Sequence, residues 1–188
     1  MQKTAYDTAT GEILYLVEGT PNSPVIPPEP GIDFVDGVGD AATEKVVGGQ
    51  IVAKSQAELD ADLQSKLPAL INAERDRRLV LPLPFDGYLF DFDRESRDRI
   101  SGMAALAGFA IAAGAQPGNL LWHGESEPFA WITYGDNQIV TMDAQTMFAF
   151  GKAAAARVAR VVFKARALKD MQPIPTDITN VAYWEDDP

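Results

Sequence analysis

The chain reads as an α+β protein, with a small N-terminal β module and a Pro-rich arm followed by three helices packed on a small antiparallel sheet. Two observations carry that reading. The first is a plan spelled twice between Phe85 and Met171, in which a β-rich run leads through an Asp into a long Ala-rich helix. One copy is Tyr88-Leu89-Phe90-Asp91-Phe92 into Asp93, and the other is Gln138-Ile139-Val140-Thr141-Met142 into Asp143. The second is the change of texture near residue 54, where short β-like runs give way to segments with a helical period. The boundaries drawn from it are 1–54 for the β module and 55–188 for an α+β domain ordered helix, hairpin, helix, hairpin, helix.

Within the β module, Glu12 to Val17 reads as a strand, and Val46-Val47-Gly48-Gly49-Gln50-Ile51-Val52 as a hairpin turning at Gly48-Gly49. Thr20 to Gly31 holds five prolines, which forbid helix and disfavour a central strand, so this stretch is expected to be an extended arm. Ser55-Gln56-Ala57-Glu58 is a capping box and should start the first helix. Leu59, Leu63, Leu67, Leu70 and Ile71 give that helix one apolar stripe. Glu74-Arg75-Asp76-Arg77-Arg78 makes a charged last turn, and Pro68 is expected either to kink the helix or to sit where the lost bond is tolerated.

Leu81-Pro82-Leu83-Pro84 ends that helix, and Phe85-Asp86-Gly87-Tyr88 turns the chain through a short hairpin. Asp93 is the natural N-cap of the second helix, whose buried face is Ile100, Met103, Leu106 or Ala107, Ala110 and Ile111. Small residues around Gly102, Ala104 and Gly108 imply close approach by another element, because Gly in a helix costs about 1 kcal/mol against Ala. Phe129–Tyr134 and Gln138–Met142 flank Gly135-Asp136-Asn137 as a second hairpin. Asp143 caps the third helix, with Met147, Gly151, Ala154, Val158, Val161, Ala165 and Leu168 facing inward. Lys152, Arg157, Arg160, Lys164, Arg166 and Lys169 form its outer, solvated face, and Tyr183-Trp184-Glu185-Asp186-Asp187-Pro188 closes as an aromatic and acidic tail.

Composition narrows the chemistry. There is no Cys, which excludes disulfides, thiolate metal sites and cysteine nucleophiles. A formal charge of -11 disfavours nucleic acid as the main ligand, since phosphate binding is driven by Lys and Arg releasing counterions. The first residues lack the basic and apolar regions of a signal peptide. The Ala- and Gly-rich stretch Ile100–Ala115 falls short of the ~20 residues that span a bilayer, so a packed helix of a soluble protein is expected there and no membrane partner.

Four carboxylates, Asp86, Asp91, Asp93 and Glu95, are the densest acidic group in the α+β part. General acid-base or metal chemistry would need such a group gathered in a pocket. Asp93 is explained as a cap, however, and the run lacks the Gly and later Glu of a calcium loop. His123 is the single histidine, so neither a histidine zinc triad nor a redundant Ser-His-Asp arrangement can form; a packing or surface role is expected. Ser96, Ser101 and Ser126 have no nucleophile elbow, and Gly48-Gly49 lacks the Lys and helix start of a phosphate loop. The expectation is no catalytic residue, no cofactor-binding residue, no metal site and no cofactor.

The runs Ile71-Asn72-Ala73-Glu74-Arg75-Asp76-Arg77-Arg78, Phe85-Asp86-Gly87, Ser96 to Gly102, Trp131-Ile132, Met142-Asp143-Ala144 and Lys152 to Ala155 resemble, in order, an uncharacterised domain family that recurs in bacteriophage tail genes and prophages. The resemblance covers about residues 66–184, and no catalytic residues come with it. Tyr6 to Leu14, the Pro-rich stretch and Val46 to Val52 are similar to the opening of phage tail accessory and tail fibre assembly proteins. Together the two resemblances imply a non-enzymatic, tail-associated structural protein made in the host bacterial cytoplasm and carried in the virion tail. Its partners would be other phage tail proteins of the fibre, distal tail or baseplate, with further copies of itself in the assembled tail as a possibility to be tested. The second expectation is a tail fibre assembly chaperone. A third, a cell-envelope-degrading enzyme, would rest on Asp91 or His123.

Overall fold

Thr4 and Ala5 are fully buried in the middle of β1 (Gln2–Asp7), and this strand is the centre of a three-stranded antiparallel sheet. β2 (Ile13–Glu18) and β3 (Ile32–Asp36) are its edges, with Ala5 opposite both Tyr15 and Phe34. The computed structural model describes residues 2–18 and 29–184. Most of the expected Pro-rich arm, 20–28, and the last residues of the acidic tail, 185–188, lie outside the described residues. β2 matches the strand expected from Glu12 to Val17, whereas β1 and β3 were not anticipated. Neither shows clean alternation: β1 begins Gln2-Lys3-Thr4, and its buried Thr4 is satisfied by donating to the Gly37 carbonyl and accepting from the Gly39 amide, both at 2.9 Å.

β4 (Glu44–Val47) and β5 (Gln50–Ala53) form the anticipated hairpin. Gly48 and Gly49 hold φ of 58° and 76°, the left-handed pair that a two-residue hairpin turn requires. Gly11 is constrained more severely, since a Cβ there would fall 2.3 Å from the Val46 carbonyl oxygen. That close approach lets the Val46 amide donate to the Gly11 carbonyl at 2.8 Å and ties the hairpin to the chain entering β2.

α1 (Gln56–Leu79) begins at the expected capping box: the Ser55 amide donates to Glu58 at 2.9 Å, and the Glu58 amide donates back to Ser55 Oγ at 3.4 Å. The helix runs on through Pro68. The expected stripe is only partly buried. Leu67 and Ile71 are inside, while Leu63 and Leu70 are exposed, and the third buried residue of the helix is Glu74. The backbone divides into two units at Lys66/Leu67, inside α1.

In the C-terminal unit, β6 (Leu83–Phe85) and β7 (Tyr88–Phe90) turn at Asp86 and Gly87, whose φ values of 49° and 80° are again a left-handed pair. α2 (Arg94–Ala112), the hairpin of β8 (Ala130–Ile132) and β9 (Ile139–Thr141), and α3 (Ala144–Asp170) follow in the expected order. The fold is α+β, but the single sheet expected beneath the helices is two separate two-stranded ladders. The Tyr134 amide bridges them by donating to the Leu89 carbonyl at 2.7 Å. Strands of three residues are too short to widen into one sheet, so side chains join the hairpins to the helices instead. Phe150 of α3 is fully buried, and its ring centroid lies 5.0 Å from that of Phe85, 4.7 Å from Phe90 and 5.9 Å from Trp131. A second cluster packs Leu67 and Ile71 of α1 against Val161, Ala165 and Leu168 of α3, closed by Ile174, Ile178 and Trp184.

α2 and α3 touch most closely at Gly151, where an added Cβ would stand 2.2 Å from the Cβ of Ala104. The close approach inferred from the small residues of α2 therefore occurs at Ala104, whereas Gly102 has nothing within 4 Å. The two helical glycines should respond oppositely to the same change. Gly102→Ala should stabilise by up to about 1 kcal/mol through helix propensity, and Gly151→Ala should destabilise by about 1–3 kcal/mol through overpacking. Urea unfolding of the two variants checks this, and equal shifts would contradict the packing described.

Candidate functional site

The carboxylates singled out in the sequence are spent on local structure. Asp93 Oδ1 accepts the Ser96 amide at 2.8 Å, which caps α2. Asp143 caps α3 through the Thr146 amide at 2.8 Å, and its second oxygen accepts the Gly118 amide at 2.7 Å, so this residue also pins the loop after α2. Asp86 occupies the left-handed position of a hairpin turn, and Glu95 pairs with Arg99 one turn along α2. Asp86, Asp91, Asp93 and Glu95 are all exposed, and among the described residues no three His, Asp or Glu side chains are arranged to hold a metal ion. Both caps titrate below the usual carboxylate range. For Asp93 the main cause is the Ser96 amide; for Asp143 it is the Thr146 side chain, followed by the Gly118 amide.

His123 packs between aromatic rings, 5.7 Å from the Trp122 centroid and 5.3 Å from Phe129, and its buried Nδ1 has no hydrogen-bond partner. Of the serines, Ser96 is buried in the first turn of α2, and Ser101 and Ser126 are exposed at separate places. The structure brings none of these residues together with Asp91. Among the described residues no helix is long and apolar enough to cross a membrane.

The basic face of α3 is not uniform, and here the reading of a solvated row is corrected. Lys152, Arg160 and Arg166 are exposed, whereas Arg157 turns inward. Its two terminal nitrogens donate to the carbonyls of Arg78 at 3.0 Å and Pro82 at 3.3 Å, and its guanidinium lies 5.5 Å from the centre of the buried Phe92 ring. Arg97 of α2 reaches the same place, donating to the Leu79 carbonyl at 2.6 Å, with its guanidinium also 5.5 Å from the centre of the Phe92 ring. Arg78 and Leu79 end α1, where the last carbonyls have no partner within the helix. Two cations from two other helices therefore cap α1, with the sign the helix dipole favours.

The charged last turn of α1 is partly taken into the interior. Glu74 is buried and accepts from both Arg77 and Arg78, at 2.7 and 2.6 Å, which holds its carboxyl below the ordinary range with Arg77 the first cause. Arg78 in turn donates to the Thr179 carbonyl at 3.1 Å and stacks 4.9 Å from the Trp184 ring centre. The signal that could have found this cluster is the run of arginines with a single acid four residues before Arg78, beside a late Trp; charge alone could not assign partners about a hundred residues away.

In the N-terminal unit the notable surface is β2. Among the described residues it is an edge strand, and Leu14, Tyr15 and Leu16 are exposed in succession at 44%, 43% and 51%. An edge with open backbone groups and apolar side chains is a template for pairing with another chain.

Asp143 generates a pH prediction. Its pKa is lowered on folding, so its contribution is present above the unfolded carboxylate value near 4 and is lost as pH falls through the lower folded value. Asp143→Ala should cost about 0.5–2 kcal/mol at neutral pH, and Asp143→Asn, which keeps a capping oxygen, should lose less while showing a flatter acid limb below pH ~4. Thermal melts of the three proteins between neutral and acidic pH check this; identical acid limbs would refute it.

The C-terminal unit's arrangement can be set against known proteins. A family model described as a domain of unknown function (DUF4376) matches residues 62–184. No curated protein and no solved structure matches the chain. The family match runs from the first half of α1 to Trp184 and so takes in both hairpins, α2, α3 and the whole arginine cap. With more than half of its length matched, the chain belongs to the DUF4376 family, an uncharacterised domain family.

Proposed function

We propose that this protein is a non-enzymatic structural component of a bacteriophage tail, attached to a tail fibre or to the distal tail or baseplate, with the N-terminal β module as its docking surface. The observation that carries the reading is the β2 edge: three successive exposed apolar residues on a strand that pairs on one side among the described residues suit addition of a partner's strand. The N-terminal sequence, which resembles tail accessory and fibre assembly proteins, supports the same partner class. The carboxylates support it from the other side, since Asp93 and Asp143 are committed to helix caps and Asp86 to a turn. The partners are then other tail proteins, and the protein's place is the virion tail after synthesis in the host bacterial cytoplasm.

Mass spectrometry of purified virions from a phage encoding this chain tests the proposal. Peptides of the protein should be present in intact particles, and Leu16→Glu, which places a charge on the exposed edge without touching the core, should abolish incorporation. Absence of the protein from particles would overturn the structural role. If, in addition, soluble trimeric fibre formed only when this chain was co-expressed, the assembly-chaperone reading would replace it.

A further inference from the structure

The outer face of the α2/α3 pair is apolar in a chain that is otherwise rich in charge. Ser101, Ala105 and Phe109 recur at four-residue steps on α2, and Ala155, Ala159 and Phe163 do so on α3; all six are exposed. Phe109 and Phe163 are bare to 74% and 72%. Between the two rows runs a groove of about 520 Å³, lined by Ile100, Ala104, Gly151, Ala154 and Val158 among others. Large aromatic side chains left in water beside an apolar groove mark a surface that another molecule covers.

Contacts across the groove set its register. Ala104 meets Gly151 and Gly108 meets Phe148, so α2 and α3 run antiparallel. Lys152 therefore stands level with Ala104, while Asp98 lies about 9 Å further along the groove at 1.5 Å per residue. Both side chains are exposed, and neither has an ion-pair partner among the described residues. Phe109 lies past the Lys152 end and Phe163 past the Asp98 end. A two-fold axis lying in this face and crossing the helices exchanges the two ends. It brings Asp98 of one copy level with Lys152 of the other, and Phe109 level with Phe163, each contact occurring twice. A two-fold running along the helices would instead keep each charge level with its own kind.

We propose that the α2/α3 face is a contact between two copies of this chain, packed as an antiparallel four-helix assembly in which Asp98 pairs with Lys152 across the interface. The face is large enough: α2, of 19 residues, is about 28 Å long and two helices side by side are about 20 Å wide, a footprint of the same order as the ~800 Å² that each partner gives a stable interface. Repulsion between two molecules of net charge -11 opposes the contact, and salt screens it while leaving apolar burial in place. The face belongs to the C-terminal unit and owes nothing to the β2 edge, so the contact stands whether or not the tail reading does.

Sedimentation of the full chain at elevated salt, over a roughly hundredfold range of concentration, should show a monomer-dimer equilibrium. Ala155→Arg, a change at an exposed position in the middle of the face, should weaken the dimer by about tenfold or more while a thermal melt shows the fold retained. Asp98→Lys and Lys152→Glu should each weaken it by about threefold or more, since each sets like charges together twice. An equimolar mixture of those two variants should form a mixed dimer as tight as the original, because every cross-interface pair is again one acid and one base. A chain that stays monomeric throughout, a dimer indifferent to Ala155→Arg, a dimer lost on Leu16→Glu instead, or a mixture no tighter than the separate charge variants would each overturn the proposal.

Discussion

The C-terminal unit depends on how the end of α1 is finished. A helix that stops inside a protein leaves carbonyl groups to be satisfied, and here they face two guanidinium groups, Arg97 from α2 and Arg157 from α3. Each arginine also reaches a second carbonyl, of Phe92 at 2.9 Å and of Pro82. The three helices are thereby tied at one point by charge-assisted bonds, around the single buried ring of Phe92. From this point α3 runs one way against α1 and the closing Ile174, Ile178 and Trp184, and the other way against the hairpins through Phe150. Two hydrophobic clusters with one polar joint between them describe the unit better than one continuous core.

Legibility in the sequence followed the range of the interactions. Caps, turns and helical periods are local, and they were readable: Ser55 with Glu58, Asp93, Asp143, Gly48-Gly49 and Asp86-Gly87 all do what their neighbours in the chain imply. What stayed hidden was set by distant partners. β1 gave no alternation to read because its buried Thr4 is satisfied by Gly37 and Gly39, and the pairing with β3 spans about thirty residues. Arg157 looked like any other cation on a helix surface, and only its neighbours in space, Arg78, Pro82 and Phe92, distinguish it from Arg166. Gly151 was placed correctly on the inner face of α3, yet the residue it makes room for, Ala104, could not be named from spacing.

The same logic bears on the candidate chemistry. A cluster of acids in sequence carries little meaning until their acceptor oxygens are followed to a donor. Asp93 and Asp143 end at backbone amides, Glu95 at Arg99, and Glu74, which the sequence placed in the charged last turn of α1, is the one taken into the interior. Burying a carboxylate is tolerable there because Arg77 and Arg78 both accompany it. The polar groups that tie the three helices together are thus arginines and their acceptors, which hold positions.

The open side of β2 has a consequence for the history of each molecule in the cell. Pairing between two copies along such an edge rises with the square of their concentration, whereas capture by a dissimilar partner rises with the product of the two. If a dissimilar partner does cover Leu14, Tyr15 and Leu16, dilution would favour that partner over a second copy of the chain, and excess supply would favour the second copy.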